Sequence, residues 1–203
     1  MSTMFKRMRT CSVCHKESNQ TIIGSTSTFG GCDLDTRPAP LARYLISSRI
    51  QTCPHCGYTN YDISNEVEEY HRKINEKEYK ELLELKINSQ ALRYLKMGYV
   101  LDDDEGKLDA YLNACWVCDD AKDNVGALYT RKKAIDLILG LKDIPSVYYL
   151  ILTDLYRRIS DFAEAKRTAE YYLSKYQDNA FIAEYQLRLI EAKDDKCHSL
   201  NEI

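Results

Sequence analysis

The sequence has little of what marks several large classes of protein. No apolar run approaches the roughly 20 residues of a membrane-spanning helix. The basic start of the chain is followed by the polar stretch 10–20, where a secretory signal would have an apolar core. We therefore expect a cytoplasmic protein without a membrane partner. The chain also lacks a phosphate-binding glycine loop, a nucleophile elbow and an HExxH motif, so we expect a protein without catalytic activity.

What the 203-residue chain does have is eight cysteines, four of which form two CxxC pairs. In a reducing compartment such pairs bind metals or perform redox chemistry rather than form a disulfide framework. Four thiolates in a tetrahedron are the ligands that Zn²⁺ takes in closed structural sites. We therefore predict a structural metal site at Cys11, Cys14, Cys53 and Cys56.

The second pair lies in the run CPHCGY at Cys53–Tyr58, which favours a tight metal-binding turn. Pro54 and Gly57 preset the two halves of such a turn, so that backbone amides can point at the sulfurs. The run resembles the knuckle of zinc ribbons and rubredoxins. A rubredoxin holds iron with the same four sulfurs, so the spacing leaves zinc and iron open.

The 38 residues between the two pairs exceed the usual compact spacing and predict a small β insertion. We predict strands over Thr21–Phe29 and Tyr44–Thr52, within a β-rich zinc ribbon that spans residues 1–61. Cys32, in the inserted segment, is either an extra ligand or a neutral thiol, and the completed four-cysteine set favours the thiol. His15 and His55 could compete for the metal, but the same argument favours exposed knuckle residues.

Basic residues outnumber acidic ones in the first 60 positions by seven to three. Part of this excess can offset the negative charge of four metal-bound thiolates. The alternative is a nucleic-acid surface formed by Arg37, Arg43, Arg49 and the basic start of the chain.

After Tyr61 the composition becomes that of packed amphipathic helices, with abundant Glu, Lys, Leu, Ala and Tyr. We predict a helical domain over 62–203, with a frayed tail at 193–203. The predicted helices are 65–86, 89–102, 105–119, 123–140, 146–159, 161–176 and 179–193. The fold class is therefore α+β and mostly α, with a small metal ribbon before an antiparallel helical array.

An internal repeat appears when residues 92–114 are aligned with 147–169. In each copy a small residue, Gly98 or Thr153, precedes an alanine by twelve positions, at Ala110 or Ala165. This spacing is typical of a tetratricopeptide helix pair, in which small residues allow close approach. A general antiparallel bundle is the alternative, and 123–140 would be an additional helix.

The other cysteines are less informative. Cys115 and Cys118 flank Trp116 in a CxxC pair, but they continue the apolar stripe of a helix and lie near its end. Redox pairs work at a helix N-terminus, so we predict core packing for both. Cys197 and His198 fall in the polar tail, where a metal site is not expected.

The order of these parts resembles a bacterial family that joins an N-terminal CxxC and CPxCGY metal module to C-terminal tetratricopeptide-like helices. The resemblance is carried by the two knuckles and by the segments 110–121 and 149–165. It implies the fold and a role in interaction, and it implies no reaction.

We therefore expect a zinc-stabilised scaffold that binds a protein partner on its helical surface. Two alternatives stay open. One is a nucleic-acid-binding zinc ribbon with a helical dimerisation or docking arm, and the other is a rubredoxin-like iron electron carrier.

Overall fold

Two β-hairpins carry the two CxxC pairs. In the computed structural model, which describes residues 2–203, β1 (Thr3–Thr10) pairs antiparallel with β2 (Glu17–Ser25). The last residue pair of this hairpin, Thr10 with Glu17, encloses the first knuckle, which contains Cys11 and Cys14. The short strands β3 (Gln51–Thr52) and β4 (Thr59–Asn60) enclose the second in the same way. Each CxxC turn is therefore held between two paired strands.

The strand predictions were only partly right. The strand predicted over Thr21–Phe29 exists only to Ser25, and β1 was missed because nearly all of its residues are exposed and show no alternation. The strand predicted over Tyr44–Thr52 is wrong except at its end, since α2 (Ile46–Arg49) occupies its centre and only Gln51–Thr52, in β3, is a strand. Ile46 and Ile50 are both buried and lie four positions apart, which is helical spacing. The inserted segment thus contains β2 and two helical turns, α1 (Pro40–Arg43) and α2.

The C-terminal part of the chain is a helical array, as predicted. Its members are α3 (Tyr70–Lys73), α4 (Lys77–Leu83), α5 (Ser89–Val100), α6 (Asp104–Asp120), α7 (Asn124–Gly140), α8 (Ser146–Arg158), α9 (Phe162–Lys175) and α10 (Ala180–Glu191). Together with the small antiparallel sheets they confirm the mostly helical α+β class. Over the described part of the chain, no helix combines the length and apolar character that crossing a bilayer needs.

The single helix predicted over 65–86 is wrong, because the chain forms the short α3 and α4 instead. Glu76 has an extended backbone, with ψ 149°. The side-chain amide of Asn75 donates to the carbonyl oxygen of His71 at 2.7 Å and so takes an acceptor that a continuous helix would use. The helices from α5 onward match their predictions to within a few residues.

Side-chain caps fix several helix starts, among them those of α5, α6 and α9. The Asn88 oxygen accepts from the backbone N–H of Gln90 at 2.9 Å. Asp103 accepts from Gly106 at 2.6 Å, and Asp161 accepts from the N–H three residues later at 3.2 Å. Such caps satisfy backbone donors that have no partner within the helix, which is why the predicted boundaries hold here.

The chain divides into two compact units. The first comprises the described residues up to Thr28 together with Leu41–Thr130, and the second comprises Phe29–Pro40 together with Arg131–Ile203. The boundary predicted at residue 61, between a metal module and a helical domain, stays a prediction.

Each unit contains one of the two helix pairs that the internal repeat predicts. In the first, α5 packs on α6, and a Cβ added at Gly98 would lie 3.1 Å from the Cβ of Ala110. In the second, α8 packs on α9, with Thr153 and Ala165 fully buried. Both pairs place small residues where the helices approach, as a helical repeat and an antiparallel bundle each require.

The tail at 193–203 is not frayed, which corrects the prediction. Ser199 forms an antiparallel bridge with Asp33, and the N–H of Leu200 donates to the Cys32 carbonyl at 2.9 Å. The guanidinium of the fully buried Arg157 donates to the carbonyls of Asp194 and Lys196. These partners lie far away in sequence, so composition alone did not indicate them.

Candidate metal centre

The structure brings the sulfurs of Cys11, Cys14, Cys53 and Cys56 together, all within 4.8 Å of one another. The sulfurs of Cys11 and Cys56 lie 3.7 Å apart, and those of Cys14 and Cys53 lie 3.6 Å apart. A tetrahedron with metal–sulfur distances of about 2.3 Å has edges of about 3.8 Å. The group therefore fits one tetrahedral metal ion, and this geometry suits zinc and iron equally.

The two knuckles are the same turn repeated. In the first, the N–H of Cys11 donates to Lys16 O at 3.0 Å, and the N–H of His15 donates to Cys11 O at 2.9 Å. In the second, Cys53 donates to Tyr58 O at 2.8 Å and Gly57 donates to Cys53 O at 2.9 Å. Each pair of cysteines is thus presented from a turn with the same backbone hydrogen bonds.

The fourth residue after the first cysteine of each knuckle has a left-handed backbone. Gly57 has φ +76°, as the glycine in the motif predicts, and His15 has φ +58°. A left-handed backbone is free of steric cost for glycine but not for histidine. The first knuckle therefore reaches the same geometry with some strain.

Backbone amides point at the sulfurs, as the second motif predicts. Burial disfavours ionisation of Cys53, but the N–H groups of His55 and Cys56 and two neighbouring thiols outweigh it and lower the pKa of Cys53 to about 7. Burial, together with the other three sulfurs, raises the pKa of Cys56 to about 12. Burial also raises the pKa of Cys11. Four thiolates can coexist here only with a cation that offsets their charge.

Apolar and aromatic side chains enclose the group. Cys11 and Cys53 belong to a core cluster with Tyr58, Ile63, Tyr70, Tyr79 and Val100. The rings of Tyr58 and Tyr70 meet edge to face at 4.8 Å, and the Tyr58 hydroxyl donates to the Asn65 carbonyl at 2.6 Å. Only Cys56 is exposed, so the site is part of the core of the first unit.

Helix α5 supplies a cation beside the group. Lys96 Nζ donates to the Gly57 carbonyl at 3.2 Å. Burial lowers the pKa of Lys96, and the negative charge of Cys56 opposes that shift. Arg93, one turn earlier, donates to the Ile50 carbonyl at 2.8 Å and thereby ties α5 to the second hairpin. Sequence reasoning missed both residues, and their i, i+3 spacing is the only signal that they share a helix face.

The two histidines do not join the ligand group. His15 and His55 are exposed, and His55 Nε2 lies 3.2 Å from the Glu17 carbonyl oxygen. Cys32 belongs to the second unit and lies outside the group as well. The structure thus gathers the four cysteines that the sequence selects and leaves the three alternative ligands apart.

The remaining cysteines described here are buried in the core or form a hydrogen bond within the protein. Cys115 and Cys118 are fully buried near the end of α6, which agrees with the predicted core packing. The Cys197 thiol donates to the Asp33 carboxylate at 2.9 Å, and burial with this contact raises its pKa to about 12. His198 lies between the carboxylates of Asp194 and Glu202. Neither pair gathers ligand atoms around one point.

Comparisons of the chain with protein-family models, curated proteins and solved structures gave no match. The interpretation of the site therefore rests on its geometry alone, which is that of a four-cysteine group able to hold a metal ion.

Proposed function

We propose that the protein is a non-catalytic, zinc-stabilised interaction protein that binds a protein partner on its helices. The ligand group supports the zinc part of this proposal. Its four sulfurs account for all positions of a tetrahedral ion, and the residues from 2 to 203 add no imidazole or carboxylate to it. Without an open position for water or substrate, such an ion stabilises the fold and activates nothing.

The observation that carries the interaction part is a groove in the second unit, which we call the tyrosine groove. It has a volume of about 390 Å³ and lies on α7, α8 and α9. Its lining residues are Leu139, Tyr149, Leu152, Tyr156, Glu164, Arg167, Thr168 and Tyr171.

The lining of this groove is typical of a recognition surface. The rings of Tyr149 and Tyr171 lie 5.0 Å apart, and Leu139 and Tyr171 are 52% and 42% exposed. Tyrosines give large contact areas and keep a hydroxyl for hydrogen bonding, which is why they are enriched at protein interfaces. Helix pairs of the tetratricopeptide kind present their partner surfaces in such grooves, and α8 with α9 would be one such pair.

The proposal is tested with the full chain and two matched variants. Leu139→Asp places a charge in the tyrosine groove, and Val125→Asp places one on the same helix at a 73% exposed side chain outside it. A partner captured from the native cells would be purified and its affinity measured by calorimetry. We expect at least a tenfold loss for Leu139→Asp and no change for Val125→Asp. Equal affinities of the two variants for the partner would show that the tyrosine groove does not bind it.

The nucleic-acid alternative has less support. Arg37 is buried in the second unit. Arg49 lies 3.9 Å from the carboxylate of Asp109, with its guanidinium 5.4 Å from the centre of the Tyr61 ring. Two of the three arginines that this alternative needs are thus engaged within the protein. The iron alternative shares the same sulfur geometry, and metal analysis of aerobically purified protein separates it from zinc.

A further inference from the structure

The outer edge of β1 has no strand beside it. Among residues 2–203, the backbone of this eight-residue strand is paired only with β2. The side of β1 away from β2 therefore presents a row of backbone N–H and C=O groups. Such a row is a template for another extended chain unless the protein blocks it with proline, a bulge, a cover or charged side chains, and charges of one sign oppose a like-charged strand but not one of opposite charge. The one irregularity of the ladder is at its start, between Thr3 and Met4.

The side chains of this strand combine positive charge with exposed apolar surface. Lys6, Arg7 and Arg9 are its charged residues, and it contains no acid. Met4, Phe5 and Met8 are 54%, 48% and 51% exposed. Alternation places Met4, Lys6 and Met8 on one face, and Phe5, Arg7 and Arg9 on the other.

We propose that the outer edge of β1 binds an extended, acidic segment of a partner protein, which adds to the hairpin as a third strand. Strand addition would satisfy the free backbone groups, and the two faces would select the side chains. Acidic residues on one face of the incoming strand would lie beside the exposed Arg7, whereas Arg9 is already paired with the Asp62 carboxylate at 3.0 Å. Apolar residues on its other face would pack beside Met4 and Met8. The site lies in the first unit and does not depend on the tyrosine groove.

Charge argues against a second copy of this chain as the added strand. A symmetric pair of β1 strands would be antiparallel, so that residue i lies opposite residue j with a constant sum. Of the registers that pair at least seven residues, one places Lys6 opposite Arg7, one places Lys6 opposite itself, and one places Arg7 opposite itself. Like charges directly opposite each other are destabilising, and an acidic strand avoids this in every register.

A protein strand also fits better than a nucleic acid. Phe5 is the only aromatic residue of β1 or β2, whereas single-stranded nucleic acids are bound on several stacking side chains. The Lys6 ammonium already donates to the Thr21 hydroxyl at 2.8 Å. Phosphates would leave the unpaired backbone row and the exposed methionines unused.

The test uses the ¹⁵N-labelled full chain with zinc present and four probes of similar length. They are a peptide of alternating glutamate and valine, its lysine–valine counterpart, the first peptide with N-methyl groups along both backbone edges, and a single-stranded oligothymidylate. We expect the glutamate–valine peptide to shift the β1 amides and to bind at least ten times more tightly than the other three. Arg7→Glu should weaken it at least tenfold. Lys80→Glu, the same charge change on α4, should not.

Each other outcome overturns the proposal. Equal binding of the N-methylated peptide would exclude strand addition, and equal binding of the lysine peptide would exclude charge selection. Tighter binding of the oligothymidylate would assign the edge to nucleic acid. A dimer in sedimentation experiments that Arg7→Glu stabilises, with no peptide binding at millimolar concentration, would assign the edge to a second copy. Because Arg7 is exposed, Arg7→Gln serves as a second variant with minimal disturbance of the hairpin.

Discussion

Substitutions at the left-handed position of each knuckle test whether the two knuckles are the same turn. The left-handed position holds His15 in one knuckle and Gly57 in the other. At Gly57 no heavy atom lies within 4 Å of an added Cβ, so Gly57→Ala changes backbone preference without a steric clash. A left-handed backbone costs an L-residue about 1–2 kcal/mol. Alanine also restricts the unfolded chain more than glycine does, and this offsets about 0.4–1 kcal/mol of that cost.

We therefore expect Gly57→Ala to lower the free energy of unfolding by about 1 kcal/mol. His15→Gly should raise it by a similar or smaller amount, because the same two effects act with opposite signs. For a chain of 150–250 residues, 1 kcal/mol corresponds to a change in Tm of about 2–4 °C.

The assay is thermal unfolding of metal-saturated protein followed by fluorescence. Trp116 is the sole tryptophan, and it is buried in α6 of the first unit, so its emission reports the unit that contains both knuckles. A Gly57→Ala variant with an unchanged Tm, or a His15→Gly variant with a lower one, would refute the equivalence of the turns.

Three further predictions concern the ligands and the packing of each unit. Cys53→Ser should lose the bound metal, whereas Cys118→Ser, an equally buried thiol in α6, should retain it in elemental analysis. Gly98→Ala should cost about 1–2 kcal/mol in urea unfolding, because its Cβ would lie 2.7 Å from the Tyr111 ring. Arg157→Met should cost about 3–5 kcal/mol and expose 193–203 to proteases, since it removes a buried ion pair and two tail contacts. Metal bound to Cys53→Ser would contradict the assignment of Cys53 as a ligand. A stabilised Gly98→Ala would contradict the close packing of α5 on α6. Unchanged unfolding and proteolysis of Arg157→Met would contradict its role in holding 193–203.

The features that sequence predicted well are those whose cause is local. Gly57 and Pro54 specify the second knuckle within six residues, and the structure gives Gly57 the positive φ that the motif requires. The helices after residue 88 are specified by composition and by caps such as Asn88 and Asp103, which act within one turn.

The features that sequence missed depend on distant partners or on an absent pattern. Lys96 approaches the second knuckle from a helix about 40 positions later, and Ser199 pairs with Asp33 across most of the chain. β1 is exposed along nearly its whole length, so burial imposes no alternation on its side chains. The helix predicted over 65–86 is interrupted between α3 and α4, where Asn75 takes a helix acceptor, a local competition that composition does not reveal.

The most direct test of the central claim is the metal content of the intact, aerobically purified chain, measured by native mass spectrometry and elemental analysis. The geometry of Cys11, Cys14, Cys53 and Cys56 predicts one metal ion per chain, bound with release of the thiol protons, and the proposed function requires that this ion is zinc. Removing that ion with a chelator should destabilise the first unit, because two of the ligands, Cys11 and Cys53, lie in a core cluster of that unit. A folded chain that holds no metal, or that holds iron as its resident ion, would contradict the account.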